Sequence, residues 1–231
     1  MHAFDSSSTA GSCDIRAVVF DLDGLMFNTE EIYQEVGSTL LGRRGKRFEP
    51  DLRDAMMGRP PRVALQIMID HHQLDIDVDA LAAESSETFM GLLDDRIAPM
   101  PGLIRLMESL EAAEIPKAIA TSSSRWFVDH VLRMFEYHTR FQFVLSSDDV
   151  TNGKPHPEVY LSAAKRFGIA PAEMLVLEDS ENGCRAAAAA GAFTVAVPCG
   201  ASMGHDVSMA TLVINSLADV ALYQRLRLPC E

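Results

Sequence analysis

The sequence predicts an α/β fold with a doubly wound parallel sheet, into which an all-helical unit is inserted after the first strand. Residues 15–20 form an apolar, β-branched run, which is typical of a strand buried on both faces. From residue 99 onward, short apolar runs alternate with helix-period segments, which indicates parallel strands joined by helices. Residues 30–95 show helix-period apolar positions and no convincing strand, so they are predicted to be the inserted unit.

The inserted block is predicted to contain three helices. Apolar residues recur at helical spacing around residues 32–41, 63–74 and 81–93. Glycine, proline and aspartate-rich stretches separate these segments and are typical of turns. A helical unit that lies over the carboxyl edge of a parallel sheet is well placed to act as a lid.

The remaining elements alternate as a parallel sheet requires. Strands are predicted at residues 115–120, 141–145, 174–177, 193–197 and 212–214. Helices are predicted at residues 102–113, 128–135, 155–167, 184–190 and 217–226. Gly191 is expected to end the alanine-rich helix, because glycine readily adopts the left-handed conformation found at helix C-termini. The single tryptophan, Trp126, and the methionines are expected in the core.

These patterns divide the chain into three parts. Residues 1–13 are rich in serine and lack the apolar centre of a secretory signal, so we expect a disordered leader. Residues 14–29 and 97–231 are expected to form the core domain. Residues 30–96 are expected to form an inserted helical cap domain.

Composition limits the class of partner. The chain has 231 residues and a formal net charge of −13, which argues against nucleic acid or an anionic membrane as a partner. No apolar run approaches the roughly 18 residues of a membrane span. The four cysteines have no metal-binding or redox spacing, which is typical of a reducing compartment, so we expect a cytoplasmic protein.

Polar side chains follow several predicted strands at their carboxyl ends, which open on one edge of a parallel sheet. The converging set consists of Asp21, Asp23, Thr121, Ser122, Lys154, Glu178 and Asp179. Four clustered carboxylates resist desolvation unless a cation is present, and hard oxygen ligands favour Mg²⁺. A metal ion beside a lysine and hydroxyl groups best fits a bound phosphate.

Four motifs, in their order along the chain, resemble those of the haloacid dehalogenase superfamily. They are Asp21-Leu22-Asp23-Gly24 with Asn28-Thr29-Glu30, then Thr121-Ser122, Lys154-Pro155-His156-Pro157, and Glu178-Asp179-Ser180. The helical insert resembles the cap of the β-phosphoglucomutase-like branch, and the resemblance covers about residues 15–226. It implies a Rossmann-like core sheet and a Mg²⁺-dependent enzyme of phosphoryl transfer.

The resemblance implies roles for the acidic residues. Asp21 matches the nucleophile that forms an aspartyl-phosphate, and Asp23 matches the general acid that later acts as general base. Asp21, Asp179 and the backbone carbonyl of Asp23 match the Mg²⁺ ligands, and Glu178 matches a further or water-mediated metal partner.

The resemblance also implies a set of phosphate-binding residues. Thr121 matches the hydroxyl that binds a phosphoryl oxygen, with Ser122 and Leu22 beside it. Lys154 matches the cation that neutralises the nucleophile and the transferred phosphoryl group. Phosphoryl transfer depends mainly on such positioning and charge neutralisation.

Three positions bear on the substrate. Gly58 and Arg59 match the cap loop that faces the substrate, although Arg59 fits the start of a helix equally well. Tyr33 stands where β-phosphoglucomutases carry a histidine, which favours a phosphatase over a mutase; as an aromatic residue it is expected to be packed rather than to bind substrate. Asn28 replaces the more frequent aspartate of the hinge, where we expect a changed hydrogen bond.

These observations favour a Mg²⁺-dependent phosphatase that acts on a small phosphorylated metabolite, either a sugar phosphate or a nucleoside monophosphate. A phosphosugar mutase and a non-catalytic phosphoacceptor module are the alternatives. A phosphoacceptor of the receiver type has no helical cap and no acid two residues after its nucleophile, unlike Asp21 and Asp23 here. We expect a monomer.

Overall fold

The computed structural model describes residues 14–56, 59 and 61–230. The predicted leader, residues 1–13, and Gly58 of the predicted cap loop lie outside these ranges. Within them, no helix is both long enough and apolar enough to cross a membrane.

The described strands form one six-stranded parallel sheet, as the sequence predicts, in the order β3-β2-β1-β4-β5-β6. The strands are β1 (Ala17–Phe20), β2 (Lys117–Ala120), β3 (Val144–Leu145), β4 (Met174–Glu178), β5 (Phe193–Ala196) and β6 (Leu212–Val213). The chain builds outward from β1 to β3, then returns to the other side of β1 through β4. Such a reversal opens a crevice at the carboxyl ends of the central strands, where ligands bind in open α/β sheets.

Helices connect the strands and fill the insertion. They are α1 (Thr29–Gly42), α2 (Pro50–Met56), α3 (Pro61–His72), α4 (Val78–Arg96), α5 (Leu103–Ala112), α6 (Arg125–Met134), α7 (Glu158–Phe167), α8 (Glu181–Ala190) and α9 (Val220–Leu226). Gly191 follows α8 with a φ of 81°, so the predicted glycine C-cap is present. Helix α6 begins three residues before its predicted start, because the Ser124 hydroxyl accepts a hydrogen bond from the Phe127 amide and caps it.

The insertion is helical, as predicted, but it includes a helix that the sequence pattern does not reveal. Helix α2 has seven residues and one buried side chain, Leu52, so it leaves no apolar periodicity to detect. Helix α1 packs against α4, and α3 packs against both α2 and α4. The division of the chain into core and cap domains stays a prediction.

Asn28 forms hydrogen bonds between the two chain segments that lead into and out of the insertion. Its side-chain amide donates to the carbonyl of Arg96 at 3.2 Å, and its side-chain oxygen accepts from the Ala98 amide at 2.7 Å. Its backbone amide also donates to the Ala98 carbonyl at 3.1 Å. An aspartate could accept from Ala98 in the same way but could not donate to Arg96, so the asparagine adds one hydrogen bond to this crossing.

The sheet separates two hydrophobic cores, and successive residues of β1 point into different ones. Val18 and Phe20 belong to the larger core, whereas Val19 packs with Ala186 and Ala187 of α8 in the smaller one. The small alanine side chains therefore let α8 approach the sheet closely. The expectation that Trp126 is a core residue is wrong, because its side chain is 61% exposed and stacks on a neighbouring histidine ring.

Candidate active site

The polar residues that follow the strand ends meet in one cavity of about 760 Å³. Of the residues singled out from the sequence, Asp21, Asp23, Tyr33, Arg59, Thr121, Ser122, Lys154 and Asp179 line it. Leu22 and Glu178 do not line it, and both side chains are fully buried. The side chains that follow the strand ends therefore come together as predicted. Most of them line the cavity, whereas Leu22 and Glu178 do not reach its surface.

Asp21 and Lys154 form a close, buried ion pair at the floor of the cavity. The Nζ of Lys154 lies 2.5 Å from Oδ1 of Asp21, 2.6 Å from Oε1 of Glu178 and 2.9 Å from the carbonyl oxygen of Ala120. Burial opposes the charge on Lys154, but the two carboxylates outweigh it and raise the pKa of the ammonium above its usual range. The lysine therefore stays charged.

The pKa of Asp21 is itself perturbed. Burial, together with the nearby carboxylates of Glu178 and Asp23, raises the pKa to about 8, although Lys154 acts in the opposite direction. A further cation beside Asp21 would favour its ionised form.

Glu178 holds Lys154 from behind the cavity. Its Oε1 accepts a hydrogen bond of 2.6 Å from the hydroxyl of Tyr160, and its Oε2 accepts one of 3.1 Å from the hydroxyl of Ser180. Gly183 makes this approach possible, because a Cβ there would lie 1.9 Å from the Glu178 carboxylate. Glu178 therefore orients the lysine, while one of its carboxylate oxygens lies close to those of Asp21 and Asp179.

Asp23 is held by hydroxyl groups. Its Oδ2 accepts hydrogen bonds from Ser123 at 2.6 Å and from Thr121 at 3.3 Å. Its Oδ1 is buried and has no hydrogen-bond partner among the described residues. Burial raises the pKa of Asp23, while the hydrogen bonds from Ser123, Thr29 and Thr121 act to lower it. A carboxyl group with a raised pKa and one free oxygen is suited to carry a proton.

The donor set at the cavity floor fits a divalent cation. Asp21, Glu178 and Asp179 each offer one carboxylate oxygen, and these oxygens lie within 4.8 Å of one another. Burial, followed by the charges of Glu178 and Asp21, raises the pKa of Asp179 well above its usual range. Three carboxylates and one ammonium leave two uncompensated negative charges, and hard oxygen donors suit Mg²⁺ or a similar ion.

Gly24 brings Asp179 into this cluster. A Cβ at Gly24 would lie 2.5 Å from Oδ2 of Asp179, and the residue has a φ of 76° that L side chains rarely adopt. The glycine after the second acid of the first motif is therefore required both for the turn and for the approach of a candidate ligand from β4.

The insertion contributes two of the predicted residues to the cavity. Tyr33 is 49% exposed and stacks on Phe89, with ring centroids 4.5 Å apart. Its partial burial and the charges of Asp23 and Glu30 raise its pKa, so the hydroxyl stays protonated. Arg59 is exposed at the cavity rim.

Three residues of the site could not be identified from the positions of the strand ends. Ser123 lies three residues beyond the end of β2, in a run of serines where no position stands out. Tyr160 lies one turn into α7 and carries no signal beyond a polar group on an apolar helix face. Ser202, whose hydroxyl lies near Asp179 and acts to lower the pKa of that carboxyl group, lies in a short 3₁₀ turn after β5.

The family match and the similar proteins agree on one family. Residues 18–197 match the family described as haloacid dehalogenase-like hydrolase. The chain is 34% identical over 209 residues to a probable pseudouridine-5′-phosphatase of Drosophila melanogaster, an alignment that covers 87% of this chain and 89% of that protein. It is also 34% identical over 206 residues to a bifunctional riboflavin kinase/FMN phosphatase of Arabidopsis thaliana, which covers 89% of this chain but only 54% of the longer relative.

The fold has solved counterparts. A HAD family hydrolase from Deinococcus radiodurans R1, whose crystal structure contains bound phosphate and sodium, superposes with a TM-score of 0.79 at 26% sequence identity. The superposition covers 95% of this chain and all of the other.

Proposed function

The chain belongs to the haloacid dehalogenase-like hydrolases, and on that premise we propose that it is a Mg²⁺-dependent phosphatase of small phosphomonoesters. The observation that carries the proposal is the contact of 2.5 Å between Asp21 and Lys154 at a cavity that Asp23 also lines. The pair supplies a nucleophile with its counter-charge, and Asp23 adds a proton carrier two residues away.

In the first step, an oxygen of Asp21 attacks the phosphorus atom and forms an aspartyl-phosphate, while the bond from phosphorus to the leaving oxygen breaks. Asp23 gives its proton to that oxygen, which leaves as an alcohol. Lys154 neutralises the charge that builds up between nucleophile and phosphoryl group, and Thr121 and Ser122 donate to phosphoryl oxygens.

In the second step, Asp23 accepts a proton from water as the water attacks the phosphorus atom of the aspartyl-phosphate. Inorganic phosphate leaves and Asp21 is restored. Asp21 and Asp179, with the backbone carbonyl of Asp23, would hold Mg²⁺, which when bound supplies positive charge against the phosphoryl oxygens.

The expected substrate is a sugar phosphate or a nucleoside monophosphate, bound under residues 30–96 as the cap. Two observations support it: the cavity extends from the carboxylates to helices α1–α3, and two relatives are named for phosphatases of small metabolites. Cys184, Cys199 and Cys230 are free thiols, which supports the proposal that the protein acts in the cytoplasm. We also propose that it is a monomer.

The test is release of phosphate from a panel of phosphorylated metabolites, with and without Mg²⁺. Asp21→Asn keeps the shape of the side chain, so we expect it to fold and to lose at least about 10³-fold in kcat. Undiminished hydrolysis by this variant would overturn the proposal. Conversion of a sugar 1-phosphate to a 6-phosphate without free phosphate would establish a mutase. A phospho-Asp21 that persists for minutes without turnover would establish a phosphoacceptor.

A further inference from the structure

The cavity has two chemically different ends. The end at the sheet carries Asp21, Asp179 and Lys154. The end formed by the insertion has six large apolar side chains in its lining, namely Val36, Leu40, Phe48, Met56, Leu65 and Met68. Four of these six side chains are buried and belong to the hydrophobic core of the insertion, while Phe48 and Met56 are half-buried. A ligand that extends from the sheet into the insertion thus meets an apolar wall.

An apolar wall does not suit a substrate rich in hydroxyl groups. Each hydroxyl that leaves water without finding a partner loses a hydrogen bond, which makes binding of a polyol chain unfavourable. The polar side chains that line this end are Glu30, Tyr33, Gln34, Arg53, Asp54, Arg59 and Ser85. Apolar and aromatic side chains combined with placed polar groups are typical of small-molecule sites.

Phe48 provides a flat surface in this wall, and Gly37 makes room for it. A Cβ at Gly37 would lie 2.7–3.1 Å from three atoms of the Phe48 ring, so the ring occupies the space that a side chain on α1 would need. Tyr33 lies one helical turn before Gly37 on the same face of α1 and also lines the cavity. Two aromatic side chains, Tyr33 and Phe48, therefore line the cavity on the side of α1.

Arg53 offers a polar group beside this surface. Its Nε has no hydrogen-bond partner among the described residues, and the carboxylate of Asp54 lies 3.8 Å away as its ionic partner. Its side chain is 41% exposed. Because the side chain is partly exposed, its guanidinium can contact an acceptor at the edge of a ring, such as a carbonyl oxygen.

We propose that the insertion end of the cavity is a subsite for a planar aromatic ring, with Phe48 as the stacking surface and Gly37 as the residue that positions it. The preferred substrates are then phosphomonoesters whose alcohol carries such a ring, with nucleoside 5′-monophosphates preferred to bare sugar phosphates. This inference rests on the proposed function for its kinetic test, but not for its binding test.

The kinetic test compares uridine and adenosine 5′-monophosphates with ribose 5-phosphate in the presence of Mg²⁺. All three share the same pentose and the same primary phosphate ester, so they differ at the ring subsite and not in the chemistry of the leaving oxygen. We expect kcat/KM to be at least roughly tenfold higher for one or both nucleotides, which corresponds to about 1.4 kcal/mol. Equal values for all three esters would overturn the proposal.

Variants assign the preference to Phe48. Phe48→Leu keeps apolar volume without a ring, and Gly37→Ala forces the ring to move; both should bring the ratio of nucleotide to ribose 5-phosphate kcat/KM towards one. Trp126→Ala removes an exposed aromatic ring that does not line the cavity, and should leave the ratio unchanged. Thermal unfolding establishes that each variant is folded. A ratio that survives both cavity variants would overturn the assignment.

A binding measurement separates failure of the inference from failure of the proposed function. If no ester is hydrolysed, the phosphatase proposal fails, and calorimetric titration with uridine, adenosine and ribose still tests the ring subsite. Tighter binding of a nucleoside than of ribose, lost in Phe48→Leu, would support the subsite. Equal binding of nucleosides and ribose would overturn it.

Discussion

Two buried tyrosines allow the hydrogen bond behind Lys154 to be measured against a matched control. Tyr160 is fully buried, and its hydroxyl donates to the Glu178 carboxylate at 2.6 Å. Tyr223 is 2% exposed, and its hydroxyl has no hydrogen-bond partner among the described residues. Tyr160→Phe and Tyr223→Phe remove the same atom from equally buried sites, so the difference between them isolates the hydrogen bond to Glu178.

The expected difference follows from the charge on the acceptor. A hydrogen bond to a charged group contributes about 1.5–3 kcal/mol, whereas a buried hydroxyl without a partner costs free energy. Burial and the Glu178 carboxylate raise the pKa of Tyr160 well above its usual range, so it remains a donor at neutral pH. We expect Tyr160→Phe to lower the free energy of unfolding by about 2 kcal/mol more than Tyr223→Phe, which should be neutral or slightly stabilising.

The assay is urea denaturation of both variants at pH 7, followed by circular dichroism, with the m-values compared to establish that the same surface is exposed on unfolding. Steady-state kinetics of Tyr160→Phe should show a lower kcat with little change in KM, because the loss acts through the position of Lys154 and not through substrate binding. Equal destabilisation by the two variants would refute the view that Tyr160 and Glu178 form a stabilising contact.

Three further outcomes are expected. Lys154→Met leaves Asp21 and Glu178 buried without a counter-charge, so it should lower the free energy of unfolding by about 3–5 kcal/mol and kcat/KM by roughly 10²–10³-fold, measured by urea denaturation and phosphate release. Ser123→Ala removes the hydrogen bond of 2.6 Å to Asp23 and should lower kcat about tenfold, with recovery in Ser123→Thr. The pKa of Asp21 is raised to about 8, and only the ionised carboxylate attacks. With divalent cations chelated, residual activity should therefore increase as the pH rises through that value. The measurement compares pH–rate profiles with chelator and with saturating Mg²⁺, and coinciding profiles would contradict this reasoning.

The positions of the acidic residues could be predicted because they depend on strand periodicity alone. An apolar run ends at Phe20, and Asp21 must then emerge at the carboxyl edge of the sheet, beside residues that follow β2 and β4. The same logic correctly predicts that Thr121, Lys154 and Asp179 reach the cavity. A parallel sheet converts local sequence patterns into a shared edge, so no knowledge of side-chain packing is needed.

Side-chain partners could not be predicted in this way. Glu178 is the last residue of β4 and directly precedes Asp179, yet it turns away from the cavity, because Tyr160 and Ser180 provide donors behind the sheet edge. Strand periodicity places alternate residues on opposite faces but does not say which face carries those donors. Trp126 is a similar case, since an amphipathic helix can place a large aromatic ring outward when smaller apolar residues fill its inner face.

The unlike roles proposed for the two acids of the first motif come from distant parts of the chain. Desolvation is the largest cause of the raised pKa of both carboxyl groups, so it does not distinguish their roles. Asp21 contacts the ammonium of Lys154, 133 residues away, and that charge favours the ionised form required for attack. Asp23 contacts the hydroxyl of Ser123, 100 residues away, which orients it without adding positive charge. The spacing of two residues places both acids at one cavity, and their different partners are the reason for which we propose Asp21 as the nucleophile and Asp23 as the proton carrier.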